Sequence, residues 1–121
     1  MQLTGKVIGC AIRVHKSLGN GFLESVYESA LAYEFTQCGI EFERHPVLKV
    51  WYGEHLAGKD IADFIVEEKL LVELKAVSLP NSSVDAQMLN YLKATRLTIG
   101  IILNFGSTKL QIKRRVRNFE D

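Results

Sequence analysis

From Thr4 to Leu18 the apolar positions Val7, Ile8, Ala11, Ile12, Val14 and Leu18 fall mostly three and four residues apart, with Lys6, Arg13 and Lys16 between them. That is the period of a helix with one buried stripe, so the pattern predicts an amphipathic helix ending at Gly19, Asn20 and Gly21. The same period returns in Phe22, Val26, Tyr27, Ala30, Leu31, Tyr33 and Phe35. Gly39 follows where a helix-ending left-handed residue is wanted. A helical hairpin is therefore expected at the start of the chain.

Beyond Gly39 the period becomes two, through Ile40, Phe42, Val47, Leu48, Val50 and Tyr52. Pro46 interrupts this run and suits an edge strand or a bend. Gly53 and Glu54 read as a turn, and strands are predicted over His55 to Val66 and Leu70 to Val77. Pro80 to Ser83 supplies a break and a helix N-cap, with Asp85 in the first turn. Val84, Met88, Tyr91, Leu92 and Thr95 then hold helical spacing to about Arg96. Thr98 to Phe105 reads as a buried strand, Gly106 and Ser107 as a turn, and Lys109 to Val116 as a last alternating strand. The expected order is α-α-β-β-β-α-β-β, an α/β (α+β) chain with helices around one mixed sheet.

The length of 121 residues with 47% apolar content fits one domain over residues 1–121. No apolar run is long enough to span a bilayer, and the N-terminus lacks the features of a secretory signal. A soluble, cytoplasmic protein is expected, with Cys10 and Cys38 reduced. Neither cysteine has a partner at zinc-ligand spacing, so neither a zinc site nor a disulfide is expected. The net charge of +1 offers no global attraction to nucleic acid. The charge is uneven, however: Lys113, Arg114, Arg115 and Arg117 form a basic segment that reads equally as a solvated strand or a phosphate-contacting edge. Acids gather mid-chain at Asp60, Asp63, Glu67, Glu68 and Glu73.

The segment from Asp63 to Lys75 carries the candidate chemistry. If Glu67 to Lys69 form the loop, antiparallel pairing sets Val66 opposite Leu70, Asp63 opposite Glu73 and Lys75 opposite Ile61. Paired residues have Cβ atoms roughly 4.5–5.5 Å apart, so the two carboxylates share a face and are close enough to hold one divalent cation. Ile61, Ile65, Leu71 and Val77 would share that face, with Ala62, Phe64, Val66, Val72, Leu74 and Ala76 on the other. Two acids among such neighbours are costly to bury unless a cation or proton intervenes. The plainer alternative is a solvent-facing ladder pair of Glu73 and Lys75 with Asp63.

The D-x9-E-x-K spacing on two paired strands, between helices, resembles the PD-(D/E)XK nuclease superfamily with its restriction-endonuclease-like core. More narrowly, Gly21, Glu24 and Tyr27 match the GxxExxY signature of a family of small proteins in that superfamily, and the likeness extends through Asn90 to Thr95 and Leu103 to Gly106. The resemblance implies that Asp63, Glu73 and the Leu74 backbone carbonyl ligate magnesium, with manganese as a substitute, and that Lys75 orients or activates the attacking water. Glu24 is implied as a fourth catalytic member or further ligand; its plainer role is to complement the helix dipole. Tyr27, on the same face, reads at least as well as a core aromatic. Gln87 and Tyr91, four apart on the third helix, are similar to a pair that touches substrate in exonucleases of the superfamily. Ala62 stands where the superfamily's name places proline and where relatives carry a nearby arginine; Lys59 is the candidate replacement for that charge.

Three readings follow. The first is a magnesium-dependent nuclease cutting DNA, or alternatively RNA, by attack of an activated water. The second is an accessory or nucleic-acid-binding module of the same fold that cuts poorly or not at all. The third is a domain whose ionic cluster is structural. A homodimer is expected, because two-fold pairing is the commonest soluble assembly and would offer one site per strand. No membrane partner is expected.

Overall fold

The computed structural model describes residues 2–79 and 82–118. Helix α1 spans Gln2–Leu18 and α2 spans Glu24–Gln37, antiparallel neighbours across the loop at Gly19. Gly39 has φ +68°, and the Ile40 amide donates to the Phe35 carbonyl at 2.9 Å, so α2 ends at the predicted glycine by the expected left-handed cap.

The expected strands are present but divide differently. β1 (Phe42–Arg44), β4 (Phe64–Val66), β5 (Leu70–Lys75), β6 (Ile99–Asn104) and β7 (Gln111–Val116) form one mixed sheet in the order β1-β4-β5-β6-β7. β5 and β6 are parallel, joined by α3 (Ser83–Thr95), and the other neighbours are antiparallel. β2 (Val47–Tyr52) and β3 (His55–Ile61) leave this sheet as a separate two-stranded hairpin around Gly53. The run expected as one strand from His55 to Val66 therefore breaks at Ala62 and Asp63. The run through Pro46 breaks there too, with His45 in a left-handed conformation at φ 56°.

Two apolar layers cover the sheet. Tyr27, Leu31 and Phe35 of α2, with Val7, Ala11 and Val14 of α1, pack on Phe64, Val66, Val72 and Leu74. Met88, Tyr91 and Leu92 of α3 pack on Leu71, Ile102, Leu48 and Ala62. Alternation along β4 and β5 is as expected except at Ala62, which lies with the α3 layer: the chain has left the strand there, so the parity count no longer holds. The α3 N-cap position falls on Ser82, but its backbone is already helical and its side chain makes no capping bond. Asp85 in the first turn instead pairs with Lys113 at 2.8 Å and Arg115 at 2.9 Å. Lys113 and Arg115 of the basic segment are thereby engaged within the protein. Pro80 and Asn81, the predicted break before α3, lie outside the described residues. Among the described residues, no helix is long and apolar enough to cross a membrane.

Candidate metal centre

The hairpin from β4 to β5 has the register the three-residue loop predicts: Val66 faces Leu70, Ile65 faces Leu71 and Phe64 faces Val72. Glu67 and Glu68 take positive φ of 53° and 58° to close the loop. The Glu67 carboxylate accepts the Glu41 amide at 2.7 Å, which ties that loop to the start of β1. One step beyond the ladder, Asp63 and Glu73 meet. The Asp63 amide donates to Glu73 Oε2 at 2.6 Å, and the Leu74 amide donates to Asp63 Oδ2 at 2.7 Å. Each carboxylate is thus held by the backbone of the other strand.

Glu73 is only 5% exposed, and its carboxyl is pushed up to about 8 by burial and then by the nearby Asp63 charge. Burial likewise raises Asp63, with the Leu74 hydrogen bond opposing it, and raises Glu24, with Lys75 opposing. Lys75 therefore faces Asp63, Glu73 and Glu24 from the end of β5. Three carboxylates gather around one ammonium, leaving excess negative charge in a poorly solvated place. Lys75 does not pair with Ile61, as uninterrupted strands would require; it pairs with Asn104 of β6, while Ile61 pairs with Val47 in the side hairpin.

Tyr91, 5% exposed, donates to the Ile61 carbonyl at 3.4 Å, and burial followed by the Glu73 charge raises its hydroxyl well above the usual range. Tyr91 is thus brought beside the acids; Gln87 lies half-buried one turn earlier on α3. Tyr27 is fully buried and stacked on Phe105, its hydroxyl donating to the Gly19 carbonyl at 2.6 Å, which gives it a structural role in the α1–α2 loop. Lys59 stands opposite Lys49 in the hairpin, off the sheet that carries Asp63.

Two residues at the site escaped the sequence reading. Glu28, 7% exposed, accepts from Arg44 at 2.8 Å and lies 2.5 Å from His45 Nε2. Ligand atoms of Glu28, His45 and Asp63 all fall within 4.8 Å of one another, a group able to hold a metal ion. The His45 amide also donates to the Asp63 carbonyl at 2.9 Å. Glu28 was legible in principle, one helical turn after Glu24; His45 was not, because only the turn at Pro46 carries it to the acids. Arg44 brings a cation close to the place where Ala62 left one missing.

The family model of the PD-(D/E)XK nuclease superfamily matches residues 1–116. The chain belongs to that superfamily. No curated protein and no solved structure matches it. For a PD-(D/E)XK protein the α+β arrangement is the expected restriction-endonuclease-like one, three helices against a mixed five-stranded sheet. The motif acids lie at the carboxyl end of β5, beside its parallel neighbour β6, where open α/β sheets characteristically bind ligands. A cleft of about 300 Å³ opens at that end, lined by Lys75, Asp85, Ile102, Asn104, Gln111 and Lys113.

The gathered carboxylates suit a hard divalent cation, whose preferred ligands are oxygens, and a cation answers the negative charge that burial makes costly when these acids ionise. His45 adds a nitrogen on one side only.

Proposed function

We propose that this chain is a divalent-cation-dependent nuclease that hydrolyses phosphodiester bonds of DNA. The observation that carries the reading is the Asp63–Glu73 pair, locked by reciprocal backbone bonds in a setting that pushes Glu73 up to about 8. Asp63, Glu73 and the Leu74 carbonyl would hold magnesium, or manganese in its place, with Glu24 completing the set. A bound ion supplies positive charge to the phosphate oxygens and lowers the pKa of water beside it. Lys75 donates to the attacking water and orients it towards phosphorus. Gln87 and Tyr91 contact the substrate from α3. Within the superfamily we assign the chain to the GxxExxY family on Gly21, Glu24 and Tyr27, as one cytoplasmic domain over residues 1–121 acting as a homodimer.

The side hairpin supports a nucleic-acid substrate. Lys49 and Lys59 stand directly opposite each other and exposed. Like charges so placed repel, and a phosphate between them removes the penalty. Between the hairpin and α3 a groove of about 600 Å³ is lined in part by Lys49, Trp51, Asn90, Tyr91, Lys93 and Arg96, three cations and two aromatic side chains against the single acid Asp60.

A second assignment of the ion has its own observation, the close approach of Glu28, His45 and Asp63. Glu28 already accepts from Arg44, so a cation there must displace a guanidinium. This favours the Asp63–Glu73 assignment, with Arg44 serving as a cation near the phosphate and His45 as a hydrogen-bonding neighbour of Glu28.

The test is cleavage of labelled DNA and RNA with magnesium or manganese by wild type and Lys75→Ala. Metal-dependent cutting, lowered by about 100-fold or more in Lys75→Ala, is the expected result. Nucleic-acid binding without cutting under any divalent ion would instead make the chain an accessory module.

A further inference from the structure

Away from the acids, the fold brings together two cysteines that lie 28 residues apart in sequence. Cys10 Sγ and Cys38 Sγ are 4.0 Å apart, both as free thiols. Cys10 is buried on α1, and Cys38 is exposed at the C-cap of α2. Arg13, one turn after Cys10, donates from Nη2 to Cys10 Sγ at 3.4 Å and to Cys38 Sγ at 3.1 Å. Its Nε is held by Glu34 at 2.7 Å, so the guanidinium is fixed over both sulfurs.

An open groove of about 510 Å³ borders this pair, lined in part by Gly5, Lys6, Gly9, Arg13 and Cys38. An added Cβ at Gly5 would meet nothing within 4 Å, and at Gly9 only the Arg13 guanidinium at 3.9 Å. Small solutes therefore reach Cys38 past Gly5 and Gly9, where no side chain narrows the groove, while Cys10 lies buried behind it.

We propose that Cys10 and Cys38 are a reversible dithiol–disulfide modification site, oxidised by peroxide, in which Cys38 reacts first and Cys10 resolves. The Cys38 sulfur attacks one peroxide oxygen, the O–O bond breaks, and the departing hydroxide takes up the thiol proton as water. Cys38 becomes a sulfenic acid. The Cys10 sulfur then attacks Cys38 Sγ, and the sulfenic hydroxyl leaves as water with the Cys10 proton. Two thiols and one hydrogen peroxide give one disulfide and two waters: sulfur is oxidised and the peroxide oxygens are reduced.

The geometry sets this order. Negative charge developing on Cys38 meets a guanidinium already aimed at it. Burial, then the neighbouring Cys38, pushes the Cys10 thiol up to about 11, which keeps it protonated until a partner sulfur is presented. Closing the bond to its usual length of about 2.05 Å asks for about 2 Å of approach, shared between two side chains that each turn about one bond. The bridge would pin the end of α2 to α1 and close a loop that includes Glu24 and Glu28.

The test treats the full chain with hydrogen peroxide under native conditions and reads intact mass, free thiols and Tm. The expected product is a monomer lighter by about 2 Da, with no free thiol, a raised Tm and full reversal by dithiothreitol. Cys10→Ser should stop at a Cys38 sulfenic acid that dimedone captures, Cys38→Ser should leave Cys10 unreacted, and Arg13→Gln should slow the wild-type reaction severalfold. Persistence of both thiols, a disulfide-linked dimer as the main product, or dimedone capture at Cys10 in Cys38→Ser would overturn the proposal.

Discussion

The amide of Asp63 donates to the Glu73 carboxylate at 2.6 Å, and Asp63 in turn accepts the amide of Leu74, the residue after Glu73, at 2.7 Å. Two carboxyl groups are thereby fixed side by side by the backbone. When both are ionised the fold holds them in mutual repulsion, and a proton or a cation relieves it.

The first consequence is a pH dependence of stability without metal. Glu73 titrates at about 8 when folded against an ordinary 4.5, so the folded state binds the proton more tightly than the unfolded chain. Its contribution is fully present below the unfolded value and is lost as pH rises from about 4.5 towards 8. Asp63 and Glu24 are raised too and act in the same direction. Denaturant unfolding in chelator should therefore give lower stability at pH 8 than at pH 5. Glu73→Gln, which keeps the acceptor for the Asp63 amide, should flatten that slope and stabilise the metal-free protein at pH 8 by on the order of 1–3 kcal/mol. Equal slopes in both proteins would show that Glu73 is ionised throughout.

A second prediction concerns how β5 is held. Buried Asn104 accepts from the Val77 and Gly106 amides, both at 3.0 Å, and donates to the Val77 carbonyl at 2.9 Å and to Gln111 at 2.7 Å. It clamps the chain two residues beyond Lys75. Asn104→Ala should cost about 2–4 kcal/mol by leaving three partly buried backbone groups of Val77 and Gly106 without their partner. Gly106→Ala should cost at least as much, because its Cβ would run into the Val77 backbone. Thermal unfolding reads both, and a change under about 0.5 kcal/mol in either would deny the clamp.

The third concerns the hairpin. If Lys49 and Lys59 bind phosphates, the double change to Glu should weaken DNA binding and lower the slope of log K against log salt by about 2. Fluorescence anisotropy across a salt series measures this. The acids' metal affinity should be unchanged, and an unchanged salt slope would remove the hairpin from the interface.

Much of this site was legible in the chain because alternation on either side of Glu67 to Lys69 sets the hairpin register, and register alone brings Asp63 to Glu73. The break at Ala62 was not, because Ile61 to Val66 reads as unbroken strand except for Asp63 itself. What ends the strand is tertiary: the chain turns away to build a side hairpin that packs Leu48 and Ala62 on α3. The pairing of Lys75 with Ile61 failed for that reason. The approach of His45 to the acids and the Cys10–Cys38 contact depend on the bend at Pro46 and on helix docking, which local periodicity does not encode.

The most direct test of the metal centre is calorimetric titration of magnesium and manganese into wild type, Asp63→Asn and Glu73→Gln at pH 8. Both substitutions keep the backbone acceptors, so the fold should persist by circular dichroism. The expected result is a saturable wild-type isotherm with proton release, and binding weakened by about 10-fold or more in each variant. Wild-type binding that survives in both variants, or no wild-type binding at all, would contradict it.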